Sequence, residues 1–224
     1  MIYDNIKKGK FISRPNRFIA NIEIDGKEEI CHVKNTGRCR ELLVSGASVF
    51  VQKSEKAERK TGFDLISVYK GDTLVNIDSQ APNKVVGEWL TGYFQNIRLI
   101  KPEAKYKNSR FDYYIETDKK KIFLEVKGVT LEENGVVLFP DAPTERGVRH
   151  LKELCQCIGD GFEAYVVFVV QLEGAKYFTP NRKTHPQFAD ALEEAKTAGV
   201  NILCAECSVT PTELKINGFI DVKL

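Results

Sequence analysis

The 224-residue sequence lacks any long hydrophobic run. No segment approaches the ~18 consecutive apolar residues that a transmembrane helix needs, and residues 1–7 lack the apolar core of a signal peptide. We therefore expect a cytoplasmic protein with no membrane partner. The sequence also has no internal repeat, no low-complexity segment, no glycine-rich nucleotide loop and no Ser-His-Asp order, so no motif supports a small-molecule enzyme.

The six cysteines lack the spacing of a disulfide framework or a metal site. Cys204 and Cys207 form a Cys-x-x-Cys, but in a segment that is typical of a strand, where they point to opposite faces. Cys155 and Cys157 lie about 200° apart on a predicted helix. We expect reduced, partly buried thiols, and neither structural zinc nor an iron–sulfur cluster.

The sequence also lacks a large excess of charge of either sign, since the net charge is only +2. Its distribution is uneven. Residues 1–60 contain 13 basic and 8 acidic residues, which leaves 20 basic and 23 acidic residues in the remainder. A basic surface binds a phosphate backbone through counterion release. A solvated, lysine-rich face is an equally good interpretation of this composition.

Short strands separated by turns fill the first 80 residues, with no long helix among them. Asp25-Gly26-Lys27 is a hairpin signal between two of the strands. This pattern favours a small closed barrel of the OB type, and such barrels often bind single strands or oligonucleotides. The predicted strands are 10–13, 18–24, 28–33, 47–53, 64–69 and 73–77.

A loop starts at residue 35 and is followed by a predicted helical turn over residues 40–43. The Asn-Thr-Gly sequence fits either a tight turn, which uses the permissive backbone of glycine, or a loop that contacts phosphate. The predicted nucleic-acid contacts of this half are Arg14, Arg17, Lys34, Asn35, Thr36, Arg38 and Arg40.

The second part of the chain alternates helices with strands. A helix capped by Asn83 is predicted to run to about residue 96. The run at 164–172 has no polar alternation, as expected for a strand covered on both faces. The order predicts a mixed sheet flanked by helices. The other elements are strands at 97–106, 110–116, 121–127 and 200–207, helices at 144–158 and 186–198, and one or two terminal strands within 213–224.

Two neighbouring strands carry the residues that best indicate chemistry. Asp112 lies on the polar face of the first strand, and Glu125 and Lys127 lie on that of the second. Only a short polar stretch separates the strands, so an antiparallel hairpin is predicted. Two carboxylates and a lysine that meet there suit hydrolysis of a phosphodiester assisted by Mg²⁺ or Mn²⁺. The alternative is a surface hairpin with solvated charges.

Further side chains near this hairpin are candidate accessory residues. Glu88 lies on the predicted first helix, where it is either a third acid or a solvated charge. Asp141 either caps the helix that starts at Thr144 or fixes a neighbouring arginine. The first turns of that helix suit phosphate capture, although a lone histidine is more often a packing residue. They carry Glu145, Arg146, Arg149 and His150.

Long blocks of the sequence resemble the sugar fermentation stimulation protein A family. The similarity covers essentially the whole chain. The blocks are EVKGVTL, FPDAPTERG and RHLKEL in the second half, and RFIANIEIDG and NTGRCREL in the first. The resemblance implies that Asp112 is the first metal-binding acid and that Glu125 with Lys127 is the E-x-K element. Thr130 and residues 141–149 match the loop and helix start behind the site.

The resemblance also implies the fold, a mixed α/β arrangement of two parts. Residues 1–80 would form the OB-like barrel, and residues 81–224 a PD-(D/E)xK restriction-endonuclease-like core with a mixed sheet flanked by helices. Phe111, and not proline, precedes Asp112. This departure is mild, because that proline contributes backbone shape and not a ligand.

The function expected from these observations is a DNA-binding protein with a metal-dependent nuclease-type site that hydrolyses phosphodiester bonds. The expected cofactor is Mg²⁺ or Mn²⁺, with no organic cofactor. The partner is single- or double-stranded DNA, with RNA as an alternative, and a homo-oligomer is left open. The competing function is a non-enzymatic DNA-binding transcriptional regulator with an unused nuclease-like fold.

Overall fold

The computed structural model describes residues 1–35, 37–55 and 58–224, and its first part is a closed barrel. Its strands are β1 (Ile6–Asn16), β2 (Ile19–Ile24), β3 (Lys27–Val33), β4 (Ser48–Lys53), β5 (Phe63–Lys70) and β6 (Thr73–Asn76). β1 pairs with β2 on one side and with β4 on the other, and β2 pairs with β3. Parallel pairing of β3 with β5 and antiparallel pairing of β4 with β5 close five strands, and β6 pairs with β5.

The barrel confirms the OB-like fold predicted for this half. The hairpin signal is also confirmed, because Asp25 and Gly26 both adopt the left-handed conformation between β2 and β3. The first strand is much longer than predicted, since it pairs with both neighbours. At Gly9 a Cβ atom would lie 2.7 Å from the Glu23 carbonyl oxygen, so only glycine permits this close approach.

The second part contains a six-stranded mixed sheet. Its strands are β7 (Ile97–Tyr106), β8 (Ser109–Thr117), β9 (Lys121–Val129), β12 (Glu163–Val170), β14 (Asn201–Val209) and β15 (Leu214–Phe219). They lie in the order β15-β14-β12-β9-β8-β7. The central strands β9, β12 and β14 are parallel to one another, and the outer strands are antiparallel to their neighbours.

Three helices flank this sheet, as predicted for a nuclease-like core. They are α1 (Ala81–Tyr93), α2 (Glu145–Gly159) and α3 (Pro186–Thr197). α1 packs against β9 and β15, whereas α2 packs against α3 and β12. All residues of β12 from Ala164 to Val170 are buried, as its unbroken apolar run predicted. Within the described ranges, no helix is long and apolar enough to cross a bilayer.

Two predictions about helix ends were wrong. Asn83 does not cap α1, because the helix already begins at Ala81 with Gln80 at the cap position, and it ends at Tyr93. Proline is tolerated in the first helical turn, where its missing N–H has no partner in any case, so Pro82 belongs inside the helix. Asp141 does not cap α2; the side chain of Thr144 accepts a hydrogen bond from the Gly147 N–H at 3.1 Å.

A small third sheet was not predicted. Its strands are β10 (Leu131–Glu133), β11 (Val136–Phe139), β13 (Tyr177–Pro180) and β16 (Asp221–Val222). Its order is β10-β11-β13-β16, and the first two strands form a hairpin through Asn134 and Gly135, which are both left-handed. The first three are too short to show a period-2 pattern, so the sequence carries no signal for them. β15 and β16 are the terminal strands that were predicted within 213–224.

Candidate active site

The β8–β9 hairpin opens where the predicted acidic residues lie. The two strands pair antiparallel, as predicted, but their ladder ends at the Tyr113–Leu124 pair. Immediately beyond it, Oδ2 of Asp112 accepts a hydrogen bond of 2.7 Å from the backbone N–H of Val126. A side-chain oxygen thus takes the place of the next ladder acceptor, which fixes the Asp112 carboxylate between the strands.

The other oxygen of Asp112 is bound by Asn83, which was predicted only to cap α1. The side-chain amide of Asn83, in the first turn of α1, donates to Oδ1 at 2.7 Å. The Tyr113 hydroxyl donates to the Asn83 carbonyl at 2.6 Å, which ties the start of the helix to β8. The contact joins residues 29 positions apart, so no local pattern in the sequence could have indicated it.

Glu125 is almost completely buried, and one of its oxygens has two donors. The ammonium of Lys127 and Nδ1 of His150 both contact Oε1, the latter at 2.5 Å. Arg146 donates through Nε to Nε2 of His150 at 3.3 Å. An arginine N–H can only donate, so Nε2 is the acceptor and the proton lies on Nδ1. The imidazole therefore donates through Nδ1 to Glu125.

The second oxygen of Glu125 is different. Oε2 is buried and has no hydrogen-bond partner among the residues that the structure describes. Burial alone would raise the pKa of Glu125, but the hydrogen bond from His150 and the charge of Lys127 hold that pKa below its usual value. Glu125 is therefore an ionised, buried carboxylate with one free oxygen, which is costly unless a ligand completes it.

The pKa of Asp112 is shifted in the opposite direction from that of Glu125. Burial, followed by repulsion from the Glu125 charge, raises the pKa of Asp112 to about 6. Two carboxylates that repel each other, one of them with an unpartnered buried oxygen, fit a divalent cation. Within the described ranges no cluster of three or more His, Cys, Asp or Glu side chains could hold a metal. Two carboxylates suit Mg²⁺, which usually keeps several waters, better than structural zinc.

Comparison with known proteins agrees with this architecture. Residues 12–77 match the family described as SfsA N-terminal OB domain, and residues 80–213 match Sugar fermentation stimulation protein RE domain. The chain belongs to the sugar fermentation stimulation protein family. It is 60% identical over 225 residues to the homologue of Desulfitobacterium hafniense, and 59% identical over 226 residues to that of Clostridium beijerinckii. The alignments cover 100% of this chain, 99% of the first relative and 100% of the second.

A solved structure from the same family is similar over the full length. The structure of Pyrococcus furiosus SfsA in complex with Ca²⁺ superposes with a TM-score of 0.89 at 30% identity, covering 100% of this chain and 98% of that one. The resemblance to the family, and with it the OB barrel followed by mixed sheets and three helices, is therefore confirmed.

Several predicted accessory residues are not part of the hydrogen-bond network around Asp112 and Glu125. Glu88 is exposed and pairs with the amino group of Met1 at 2.7 Å, so the structure places it on a different surface. Glu145 is also exposed, and its carboxylate lies 3.3 Å from His185. Arg149 is exposed on α2. By contrast, His150 and Arg146 join the Glu125 network.

Thr130 and Asp141 line a cavity next to the site rather than the site itself. Asp141 was also predicted to fix an arginine, but its carboxylate has no ion pair among the described residues. It faces the loop of the barrel instead, because a Cβ atom at Gly37 would lie 2.7 Å from its Oδ2.

The predicted nucleic-acid contacts of the barrel divide into two groups. Arg14 donates to the carbonyl oxygens of residues 17, 35, 37 and 38 at 2.7 to 2.8 Å, so its guanidinium shapes the loop. Lys34 is largely buried, 3.2 Å from Asp78. Asn35 Oδ1 accepts from the Gly37 N–H. These three residues serve the fold.

The second group is exposed. Arg17, Arg38 and Arg40 have their side chains on the surface, and Arg17 lies over the ring of Phe18 at 5.4 Å. None of these three arginines forms an ion pair with another described residue. Thr36, also a predicted contact, lies outside the described residues.

Proposed function

We propose that this protein is a DNA-binding, metal-dependent phosphodiesterase of the nuclease type. Asp112 and Glu125 would hold Mg²⁺ or Mn²⁺, and Lys127 would act on the reacting groups. The observation that carries the proposal is the buried Oε2 of Glu125, which has no hydrogen-bond partner within the described part of the chain. Burying an ionised oxygen without a hydrogen-bond partner costs free energy, which a bound cation would offset.

The relative from Pyrococcus furiosus supports a divalent cation, since its structure is described as a complex with Ca²⁺. Calcium and magnesium are both hard cations that take oxygen ligands, so a carboxylate site can accept either. When bound, such a cation neutralises phosphate charge and lowers the pKa of a coordinated water. Mg²⁺ or Mn²⁺ as the working ion is part of the proposal.

The residues of this chain have separable roles around the cation. Lys127 lies beside Glu125 with 15% of its side chain exposed, so its ammonium is desolvated but can still reach a ligand. It would orient the attacking water or stabilise charge that develops on the phosphate. His150 keeps Glu125 ionised and oriented. Asn83 orients the Asp112 carboxyl group by its hydrogen bond to Oδ1 and only partly offsets the effect of burial and of the Glu125 charge on the pKa of Asp112.

DNA binding would come mainly from the barrel. The exposed guanidinium groups of Arg17, Arg38 and Arg40 are free to contact phosphate, which arginine binds in a bidentate manner. An OB barrel supports such contacts on a curved strand face. RNA as an alternative partner and a homo-oligomeric assembly stay predictions.

The decisive experiment compares cleavage of labelled single-stranded DNA, duplex DNA and RNA with Mg²⁺, Mn²⁺ or EDTA. We expect cleavage of at least one DNA substrate that requires the metal and is lost in Glu125→Gln. Glu88→Gln is the matched control, because it neutralises an exposed carboxylate on another surface. DNA binding without any cleavage by the wild type would favour the transcriptional regulator instead.

A further inference from the structure

A cavity of about 330 Å³ lies between the barrel and the core, next to the proposed metal site. One wall is the barrel loop at Asn35 and Gly37, and the other is formed by residues 128–131 and 138–144. Gly128, which lines it, directly follows Lys127 on β9. The volume is at the lower end of the range for small-molecule sites, roughly 300–1,000 Å³.

The floor of the cavity is rigid and joins the two parts of the molecule. Gln171 is buried there, and its side chain donates to Asn76 Oδ1 at 3.0 Å and to the Asp78 carbonyl at 3.1 Å. Its backbone N–H donates to the Val129 carbonyl, and its carbonyl accepts from the Asn76 N–H. The cavity is therefore held open by both parts before any ligand binds.

Glycine is required where the two walls approach this floor. A Cβ atom at Gly128 would lie 2.7 Å from Gln171 Oε1 and 2.9 Å from Pro82. Opposite, the barrel loop is fixed by the four hydrogen bonds of the Arg14 guanidinium to backbone carbonyls. At these two approaches the described walls present backbone and glycine, which brings them close to the floor.

The chemistry of the lining argues against a phosphate inside the cavity. Among the described residues that line it, none is Lys, Arg or His, and one is a carboxylate, Asp141. The carboxylate of Asp141, the hydroxyl of Thr130 and the amide Nδ2 of Asn35 have no partner among the described residues. Apolar surface comes from Leu131, Leu138 and Phe139.

This combination fits a flat, neutral group that carries both donors and acceptors. A nucleobase meets that description, and an acidic side chain can accept from its N–H groups. Cations lie beside the cavity and not within it: Arg38 follows Gly37, and Arg146 comes two residues after Thr144. The phosphates on either side of an inserted base would meet those arginines.

We propose that this cavity is a nucleobase pocket, which takes one unstacked base of the nucleic acid whose phosphate reaches the metal site. The inference rests on the proposed function and deepens it, because it makes single-stranded or locally opened DNA the substrate class. A fully paired duplex would first have to release a base, at a cost of a few kcal/mol.

Amide chemical shifts of the ¹⁵N-labelled protein test the pocket directly. The probes are the four deoxynucleoside 5′-monophosphates, with 2-deoxyribose 5-phosphate as the matched ligand that lacks a base. We expect the nucleotides to shift the amide signals of Gly37, Gly128 and Thr130, and the sugar phosphate to leave these signals unchanged. Asp141→Asn combined with Thr130→Val should weaken nucleotide binding by about fivefold or more. The control Asp72→Asn removes a charge from an exposed turn and should change nothing.

Two results would overturn the pocket. One is an equal shift with deoxyribose 5-phosphate, and the other is no shift at these amides with nucleotide at about 10 mM. The Glu125→Gln protein should show the same shifts, because the pocket does not need the metal. If the wild type shows the shifts but no cleavage, only the proposed nuclease activity is rejected. If it shows cleavage but no shifts, only the nucleobase pocket is rejected.

Discussion

Asp64 in the barrel and Glu125 in the core are both buried carboxylates next to a lysine and a histidine, yet they are completed differently. Arg59 donates to both oxygens of Asp64, at 2.6 and 3.1 Å. His32 and Lys34 add contacts at 3.2 and 3.6 Å. On Glu125, the two donors share one oxygen, and the other oxygen has no partner in the described residues.

The pKa of both carboxyl groups lies below its usual value, although burial alone would raise it. A lowered pKa therefore does not distinguish structure from function here. The distinction lies in hydrogen bonding: both oxygens of Asp64 accept hydrogen bonds, whereas Oε2 of Glu125 has no partner among the described residues and lies on a carboxylate that repels a second acid, Asp112. This difference is why we assign Asp64 to the stability of the barrel and propose Glu125 as a ligand of the cation.

The largest expected effect tests whether Lys127 belongs to a working site. Lys127→Met should reduce metal-dependent cleavage by roughly 10²- to 10³-fold, because it removes one group that stabilises the transition state. Single-turnover assays at saturating DNA measure this rate. Lys101→Met, on an exposed position of β7, is the matched control. Wild-type rates in Lys127→Met would exclude the assigned role.

The next prediction compares how much Asp64 in the barrel and Glu125 in the core contribute to stability. Asp64→Asn leaves Arg59 without its ionic partner, so the free energy of unfolding should fall by about 3 kcal/mol. Urea unfolding with an unchanged m-value measures the loss. Glu125→Gln should cost less, since the amide keeps an oxygen for Lys127 and His150. A larger loss in Glu125→Gln than in Asp64→Asn would reverse the comparison.

The stability of the metal-free protein should depend on pH with opposite signs at the two sites. The raised pKa of Asp112, about 6, means that folding favours the protonated form. That contribution is complete below pH 4 and is lost as pH rises towards and past 6. The lowered pKa of Asp64 gives stability above pH 4 that is lost as pH falls.

Asp112→Asn isolates the pH-dependent contribution of Asp112 to stability, because asparagine resembles the protonated acid. In EDTA, the unfolding free energy of this variant relative to wild type should rise by about 1 to 3 kcal/mol between pH 4 and 7. Thermal or urea unfolding at each pH provides the difference. A flat difference across this range would show that Asp112 does not titrate as described.

The smallest effect concerns the exposed arginines of the barrel. Arg40→Ala should weaken DNA binding by about three- to tenfold and reduce the dependence of binding on salt by about one ion. Fluorescence anisotropy at several salt concentrations measures both quantities. Arg14→Lys should act differently, since it disturbs the loop and lowers stability. Unchanged affinity and salt dependence in Arg40→Ala would move the DNA contact elsewhere.

Regular elements could be predicted from the sequence, whereas short or tertiary features could not. The β8–β9 hairpin has a clear period-2 alternation and β12 has an unbroken apolar run, so the pairing of the hairpin and the burial of β12 were predicted correctly. The start of α1 was wrong because the cap preference of Asn83 competes with Pro82 at the helix start. Strands as short as β10 and β13 carry no periodic signal at all.

The same limit applies to the site. Asp112, Glu125 and Lys127 lie on adjacent strands, so local pairing indicated their proximity. The contacts of Asn83 and His150 with these acids join distant parts of the chain and depend on how helices pack. Composition also could not show that Lys34 forms an ion pair and that Arg14 donates to backbone carbonyls within the barrel. The catalytic assignments in the core and the DNA-binding assignments in the barrel stay predictions.

The most direct test of the central claim is the thermal unfolding of metal-free protein as Ca²⁺ is added. If Asp112 and Glu125 hold a divalent cation, Ca²⁺ at about 100 times its Kd should stabilise the protein by about 2.7 kcal/mol. This corresponds to a rise in Tm of about 5 to 10 °C. We expect the rise to vanish in Glu125→Gln and Asp112→Asn and to persist in Asp64→Asn. An undiminished rise in Glu125→Gln would contradict the account.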